Sequence, residues 1–174
     1  AAKRDEAGYG DGGMMERTIL LVDDEENITA SLVRLLRRDG YTILRANSGQ
    51  EGLELLTQRE VGVIVSDQRM PGMTGVEFLS KVKELYPDTV RIVLSGYTEL
   101  NSVTDAINRG AVYKFLTKPW EDDLLRANVD EAFRRYEMKI ENVRLNREIR
   151  EANEKLQRAN HGLEERVEEK TREV

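Results

Sequence analysis

Cysteine is absent from the 174-residue chain, which excludes disulfides, thiolate metal sites and thiol nucleophiles. One histidine, His161, is too few for a His-rich zinc centre and leaves a His-based triad without support. Apolar runs stop after about five or six residues, far short of the ~20 that a membrane helix needs. No charged-then-apolar leader is present. A basic excess is missing too: 27 Lys and Arg stand against 33 Asp and Glu, for a net charge of −6. That balance argues against general nucleic-acid binding. These absences predict a soluble, cytoplasmic protein that binds neither nucleic acid directly nor membrane.

What is present divides into three parts. Residues 1–14 are glycine-rich and without apolar periodicity, and read as a disordered arm, part of it an expression remnant. Residues 15–136 alternate short apolar runs with amphipathic stretches. Residues 137–174 carry no proline, one glycine (Gly162) and a dense mixture of charges.

The middle part reads as a regular βα alternation. Thr18 to Val22 is a continuous apolar run, as a strand buried on both faces requires. Ile28, Leu32, Leu35 and Leu36 follow at helical spacing, and Asp39-Gly40 closes that helix. Tyr41–Ala46, Val61–Ser66, Val90–Leu94 and Val112–Leu116 supply four more strands. Two helix starts have capping-box spacing, Ser48 with Glu51 and Thr74 with Glu77. Strands that each lead into a helix imply a flavodoxin-like, doubly wound parallel sheet of five strands with right-handed crossovers. The functional crevice of such a sheet lies at the carboxyl ends of its strands.

Those ends carry acids, a hydroxyl and an ammonium. Asp23 and Asp24 follow the first strand, Asp67 the third, Ser95 the fourth, and Thr117-Lys118-Pro119 the fifth. Three carboxylates on one rim repel each other, and a hard divalent cation removes that cost. Magnesium, which takes oxygen ligands and keeps several waters, suits the set and commonly shares its site with a phosphate. With Lys118 it would neutralise an added charge of roughly −2, and Ser95 could donate to a phosphoryl oxygen. Asp67, alone at a central strand end, is the carboxylate best placed to be phosphorylated. The bland alternative, that Asp24 to Glu26 only favour a helix N-terminus, explains the first acids but not Asp67 and Lys118.

Four segments, Leu20 to Glu25, Val65 to Gly75, Leu94 to Tyr97 and Phe115 to Pro119, resemble the receiver domain of bacterial two-component response regulators. The resemblance spans roughly residues 15–136. It implies phosphorylation of Asp67 by a sensor histidine kinase or phosphotransfer protein. It also implies Mg²⁺ held by Asp24, Asp67 and the main-chain carbonyl of Arg69, with Asp23 acting mostly through water. Ser95 and Lys118 would contact the phosphoryl oxygens, the Lys118–Pro119 bond would be cis, and Phe115 falls at the aromatic switch position. Gln68, next to the acceptor, would bear on phosphoryl lifetime. Phe115 taken alone reads equally well as core.

The tail calls for a partner. From Glu121 the pattern is helical, and that length of helix would extend roughly 80 Å. An isolated charged helix is marginal. Ile149, Leu156, Leu163 and Lys170 recur every seventh residue, with Asn146, Asn153, Asn160, Val167 and Val174 in the complementary position. Read as d and a, these form a parallel coiled-coil seam in which Asn fixes register at some cost in stability. Val129, Phe133, Tyr136, Ile140 and Val143 run in a phase offset by one residue, which implies a break near Leu145. The alternative is a solvated single helix with i,i+4 pairs such as Glu151–Lys155 and Glu154–Arg158. The homodimer is the favoured reading. Heptads still running at Val174 suggest a fragment of a multidomain regulator, whose output would be a cyclic-di-GMP enzyme or a kinase.

Two rivals remain. A Mg²⁺-dependent phosphohydrolase with an Asp nucleophile would place a general acid two residues after Asp67, where Arg69 stands. A dimerisation module that no longer switches would not need the acid, Ser and Lys set. No P-loop or GxGxxG pattern supports nucleotide binding.

Overall fold

The computed structural model describes residues 16–172. The expected arm at 1–14 lies outside the described residues, as does Val174.

Five strands form one parallel sheet, β1 (Thr18–Val22), β2 (Thr42–Ala46), β3 (Val63–Asp67), β4 (Val90–Ser95) and β5 (Lys114–Thr117), in the order β2-β1-β3-β4-β5. Five α-helices alternate with them: α1 (Glu26–Leu36), α2 (Gly49–Gln58), α3 (Gly75–Leu85), α4 (Leu100–Asn108) and α5 (Asp122–Arg172). The sheet is the expected flavodoxin-like one. Because side chains alternate along a strand, β1 feeds two cores. Ile19 and Leu21 join Leu32 and Leu36 of α1 and Leu125, Val129 and Phe133 of α5 on one face. Leu20 and Val22 join Leu56, Phe78, Leu79 and Val103 from α2, α3 and α4 on the other. Each such buried side chain contributes roughly 1.5–3 kcal/mol, which accounts for the apolar runs Ile19–Val22 and Val63–Val65 in β1 and β3.

Local chemistry sets the helix ends. Ser48 and Thr74 accept from the amides of Glu51 (3.1 Å) and Glu77 (3.2 Å), as their spacing predicts. The Glu51 carboxylate reaches back to the Asn47 amide at 3.4 Å rather than to Ser48. Gly40 closes the turn after α1 at φ 76°, a backbone conformation that other residues adopt only with strain.

The fifth strand starts later than its apolar run suggests. The amides of Ala111 and Val112 both bond the Ala106 carbonyl (2.9 and 3.3 Å), so these residues cap α4 and pairing begins after them. The third strand likewise runs two residues later at its start, and Asp67 itself belongs to it.

Packing divides the chain after Glu137. Within the first unit, Arg17 ties the start of the sheet to α5. Its guanidinium meets Asp130 (2.8 Å) and Glu137 (2.9 Å) and lies over the Phe133 ring. The unit from Met138 onward is a continuation of helix. Its ion pairs include Arg144 with Glu141 and Glu148, and His161 with Glu165. The Glu151–Lys155 and Glu154–Arg158 pairs of the single-helix alternative are not formed among the described residues. Exposed pairs gain little over hydration, so no particular set is enforced.

Candidate functional site

The carboxyl edge of the sheet brings the strand-end residues together. Asp67 closes β3, the central strand, between β1 and β4. Asp23 and Asp24 follow β1 directly, and one carboxylate oxygen from each of the three acids lies within 4.8 Å of the others. Asp23 and Asp67 are buried, whereas Asp24 is exposed. Lys118, after β5, places its Nζ 2.7 Å from Asp67 Oδ1 and 3.5 Å from Asp23 Oδ2. The Lys118–Pro119 peptide bond is cis.

Electrostatics mark the cluster as under tension. Burial pushes the Asp23 carboxyl up to about 6, and the charge of Asp67 adds to the rise. The Glu25 amide (2.9 Å) and Lys118 oppose that shift. Burial works against the Lys118 ammonium, but its hydrogen bond to Asp67 and the charges of Asp67 and Asp23 outweigh it and raise its pKa. One lysine thus serves two buried acids while a third waits at the solvent edge. Helix α1 has no side-chain N-cap bond, so capping does not account for Asp24.

The donor set suits a hard cation. It is all oxygen and acidic, and the exposure of Asp24 leaves room for water ligands, as magnesium requires. Asp23, Asp24 and Asp67 are the residues that could hold it.

The remaining predicted residues fall around this cluster. Ser95 ends β4 fully buried and pairs with Thr117 across to β5. Phe115 of β5 leaves 37% of its surface exposed. Gln68 turns away from the rim: its side-chain oxygen accepts from the Val76 amide at 2.8 Å, deep under the start of α3. Arg69 swings its guanidinium to Glu99, Nε to Oε1 at 3.2 Å. Glu99 is the residue that sequence reasoning missed. Its signal was present as a Gly-x-x-Glu capping-box spacing from Gly96.

Two buried acids at adjacent strand ends, a lysine in contact with both and a buried hydroxyl at the end of the next strand thus gather on one rim of a doubly wound sheet. The chain belongs to the response regulator receiver domain family, whose signature matches residues 19–130. The hydrogenase transcriptional regulatory protein HoxA of Cupriavidus necator is 39% identical over 135 residues, covering 78% of this chain and 28% of HoxA. The DNA-binding transcriptional regulator NtrC of Klebsiella pneumoniae is 35% identical over 124 residues, covering 71% of this chain and 26% of NtrC. The chain therefore spans about a quarter of the length of these curated relatives. Among solved structures, the signal receiver domain of an HD domain-containing protein from Pseudomonas fluorescens Pf-5 aligns with a TM-score of 0.72 at 34% identity, over 76% of this chain and 98% of that one. An adenylate cyclase structure from Rhodopirellula baltica aligns with a TM-score of 0.73 at 30% identity, over 76% and 98% of the two chains.

Proposed function

We propose that the chain is a phosphorylation-controlled switch in which Asp67 accepts a phosphoryl group from the phosphohistidine of a sensor histidine kinase or phosphotransfer protein. A carboxylate oxygen of Asp67 attacks phosphorus, the P–N bond breaks, and the imidazole leaves with a proton. The observation that carries this reading is the 2.7 Å contact of Lys118 with Asp67 inside a three-carboxylate cluster. Magnesium held by Asp24, Asp67 and the Arg69 carbonyl, with Asp23 reached through water, would neutralise the charge of the transferred group. Lys118 shares that task, and Ser95 donates to a phosphoryl oxygen once it turns toward Asp67. Phe115 is the residue proposed to respond, since its ring has open space to leave. The test is a small phosphodonor with Mg²⁺. Wild type gains the mass of one phosphoryl group, and Asp67→Asn gains none. Continuous turnover of a generic phosphoester would favour the phosphohydrolase, although Arg69 stands where its general acid belongs.

The segment from Met138 is proposed to pair in a parallel coiled-coil homodimer and to carry the change in the first unit toward an effector. Its support is the exposed register of Ile149 (58%), Leu156 (60%), Leu163 (56%) and Val167 (62%), with Asn153 and Asn160 between them. No partner among the described residues covers these side chains. Sedimentation equilibrium should give a dimer for wild type and a monomer for the double variant Leu156→Glu, Leu163→Glu. A wild-type monomer across the accessible concentrations contradicts the dimer. The similar proteins differ in their outputs, from transcriptional regulation to an HD domain and an adenylate cyclase. No helix among the described residues is long and apolar enough to cross a membrane.

A further inference from the structure

Ser95 is already engaged, and not with Asp67. Its Oγ lies 3.2 Å from Glu99 Oε2 and 3.0 Å from the Gly96 carbonyl oxygen. The same Glu99 oxygen accepts from the Gly96 amide at 2.7 Å, while Oε1 faces Arg69 Nε at 3.2 Å. Glu99 keeps only 19% of its side chain exposed, against 79% for Arg69. One carboxylate therefore joins the hydroxyl that ends β4, the backbone of the β4–α4 loop, and the side chain two residues beyond the acceptor.

We propose that Glu99 is an internal latch that competes with the phosphoryl group for Ser95 and holds the β4–α4 loop in its unphosphorylated form. The proposal rests on the assignment of Asp67 as acceptor and Ser95 as phosphoryl contact. Ser95 has one proton for both the Gly96 carbonyl and the Glu99 carboxylate, and to reach a phosphoryl oxygen that proton must leave them. The new charge of roughly −2 repels the Glu99 carboxylate and offers the Arg69 guanidinium a stronger anion. Both effects open the same contact. The far end of α4 is held differently. Arg91 Nε and Nη2 donate to the carbonyls of Ala111 (2.8 Å) and Gly110 (3.1 Å), and Lys83 Nζ donates to that of Arg109 (2.6 Å). None of these bonds involves the acceptor site. Release at Glu99 therefore frees the first turn of α4 while its last turn stays clamped, so the helix tilts about its C-terminal end.

Glu99 also has a plain structural role, since its bond to the Gly96 amide shapes the turn. Glu99→Gln separates the two: it keeps a neutral acceptor for that amide and removes the charge paired with Arg69. Calorimetric titration of the full chain with beryllofluoride in excess Mg²⁺ reads the competition directly. The latch predicts about tenfold tighter binding in Glu99→Gln. Urea midpoints should stay near wild type in Glu99→Gln. Wild-type or weaker affinity in Glu99→Gln overturns the proposal. Absence of binding by wild type itself faults the acceptor assignment instead. Amide exchange in untreated protein then judges the latch separately: Glu99→Gln should exchange faster over residues 96–103, and unchanged rates overturn it.

Discussion

Gly75→Ala should remove a large part of the stability and disable the acceptor, although alanine is the better helix former. Gly75 opens α3, and its amide bonds the Gln68 carbonyl at 3.0 Å. A Cβ there would fall well inside van der Waals contact of the Asp67 carbonyl oxygen. It would also lie 3.0 Å from the Asp67 carbonyl carbon and 3.0 Å from Gln68 Cα. The obstacle is backbone, so no side-chain rotation relieves it. Either α3 withdraws or the end of β3 moves, and the second choice displaces Asp67 from Lys118. Overpacking of this kind costs about 3 kcal/mol, against the ~1 kcal/mol that Gly to Ala gains in an open helix interior. Urea denaturation should thus show a loss where propensity alone predicts a gain, together with failure to accept a phosphoryl group. A variant as stable as wild type would mean that α3 does not press on the acceptor backbone.

Lys118→Met should have a stability cost that depends on both metal and pH. The ammonium compensates two buried carboxylates, and taking it away without its partners leaves Asp23 and Asp67 facing each other. Breaking a pair of this kind costs about 2–3 kcal/mol in metal-free protein at neutral pH, the low side of the usual range because Lys118 is partly solvated. Magnesium supplies replacement charge, so the deficit should shrink as the metal is titrated in. Protonation supplies it as well. Burial holds the Asp23 carboxyl up at about 6 even with the lysine in place. A raised carboxyl pKa lowers stability as pH climbs through the interval between the unfolded and folded values. Removing Lys118 raises that carboxyl further, so the variant's deficit should be largest at neutral pH and above, shrink as pH falls toward about 6, and be small below it. Phosphorylated Lys118→Met should also fail to show the wild-type change in amide exchange along β4 and α4. A deficit indifferent to both magnesium and pH would assign Lys118 to packing alone.

Much of the fold was legible because buried parallel strands announce themselves as uninterrupted apolar runs ending in polar residues. Thr18–Val22 reads that way and pairs on both sides, with β2 and with β3. The helix starts at Ser48 and Thr74 were equally readable, since a cap depends on two residues at a fixed short spacing. Where expectation and structure part, a longer-range bond decides. Ala111 and Val112 are apolar enough for a strand, yet their amides turn back to Ala106. The acid cluster was legible through topology, because a doubly wound sheet sets the ends of its first and third strands side by side. Glu99 was not. Its role depends on how the loop after β4 curls to bring its carboxylate back onto Ser95 and across to Arg69. The seven-residue spacing of Ile149, Leu156 and Leu163 was legible as well, because a repeat is a property of sequence alone.

The most direct measurement is chemical mapping of the phosphorylated residue. Protein treated with a small phosphodonor and Mg²⁺ is reduced with borohydride, which converts an aspartyl phosphate to homoserine, and its peptides are sequenced by mass spectrometry. The account predicts homoserine at position 67 alone, and none when the magnesium is chelated. Homoserine at position 23 or 24 with Asp67 unmodified, or a phosphoryl group carried by His161, would contradict it.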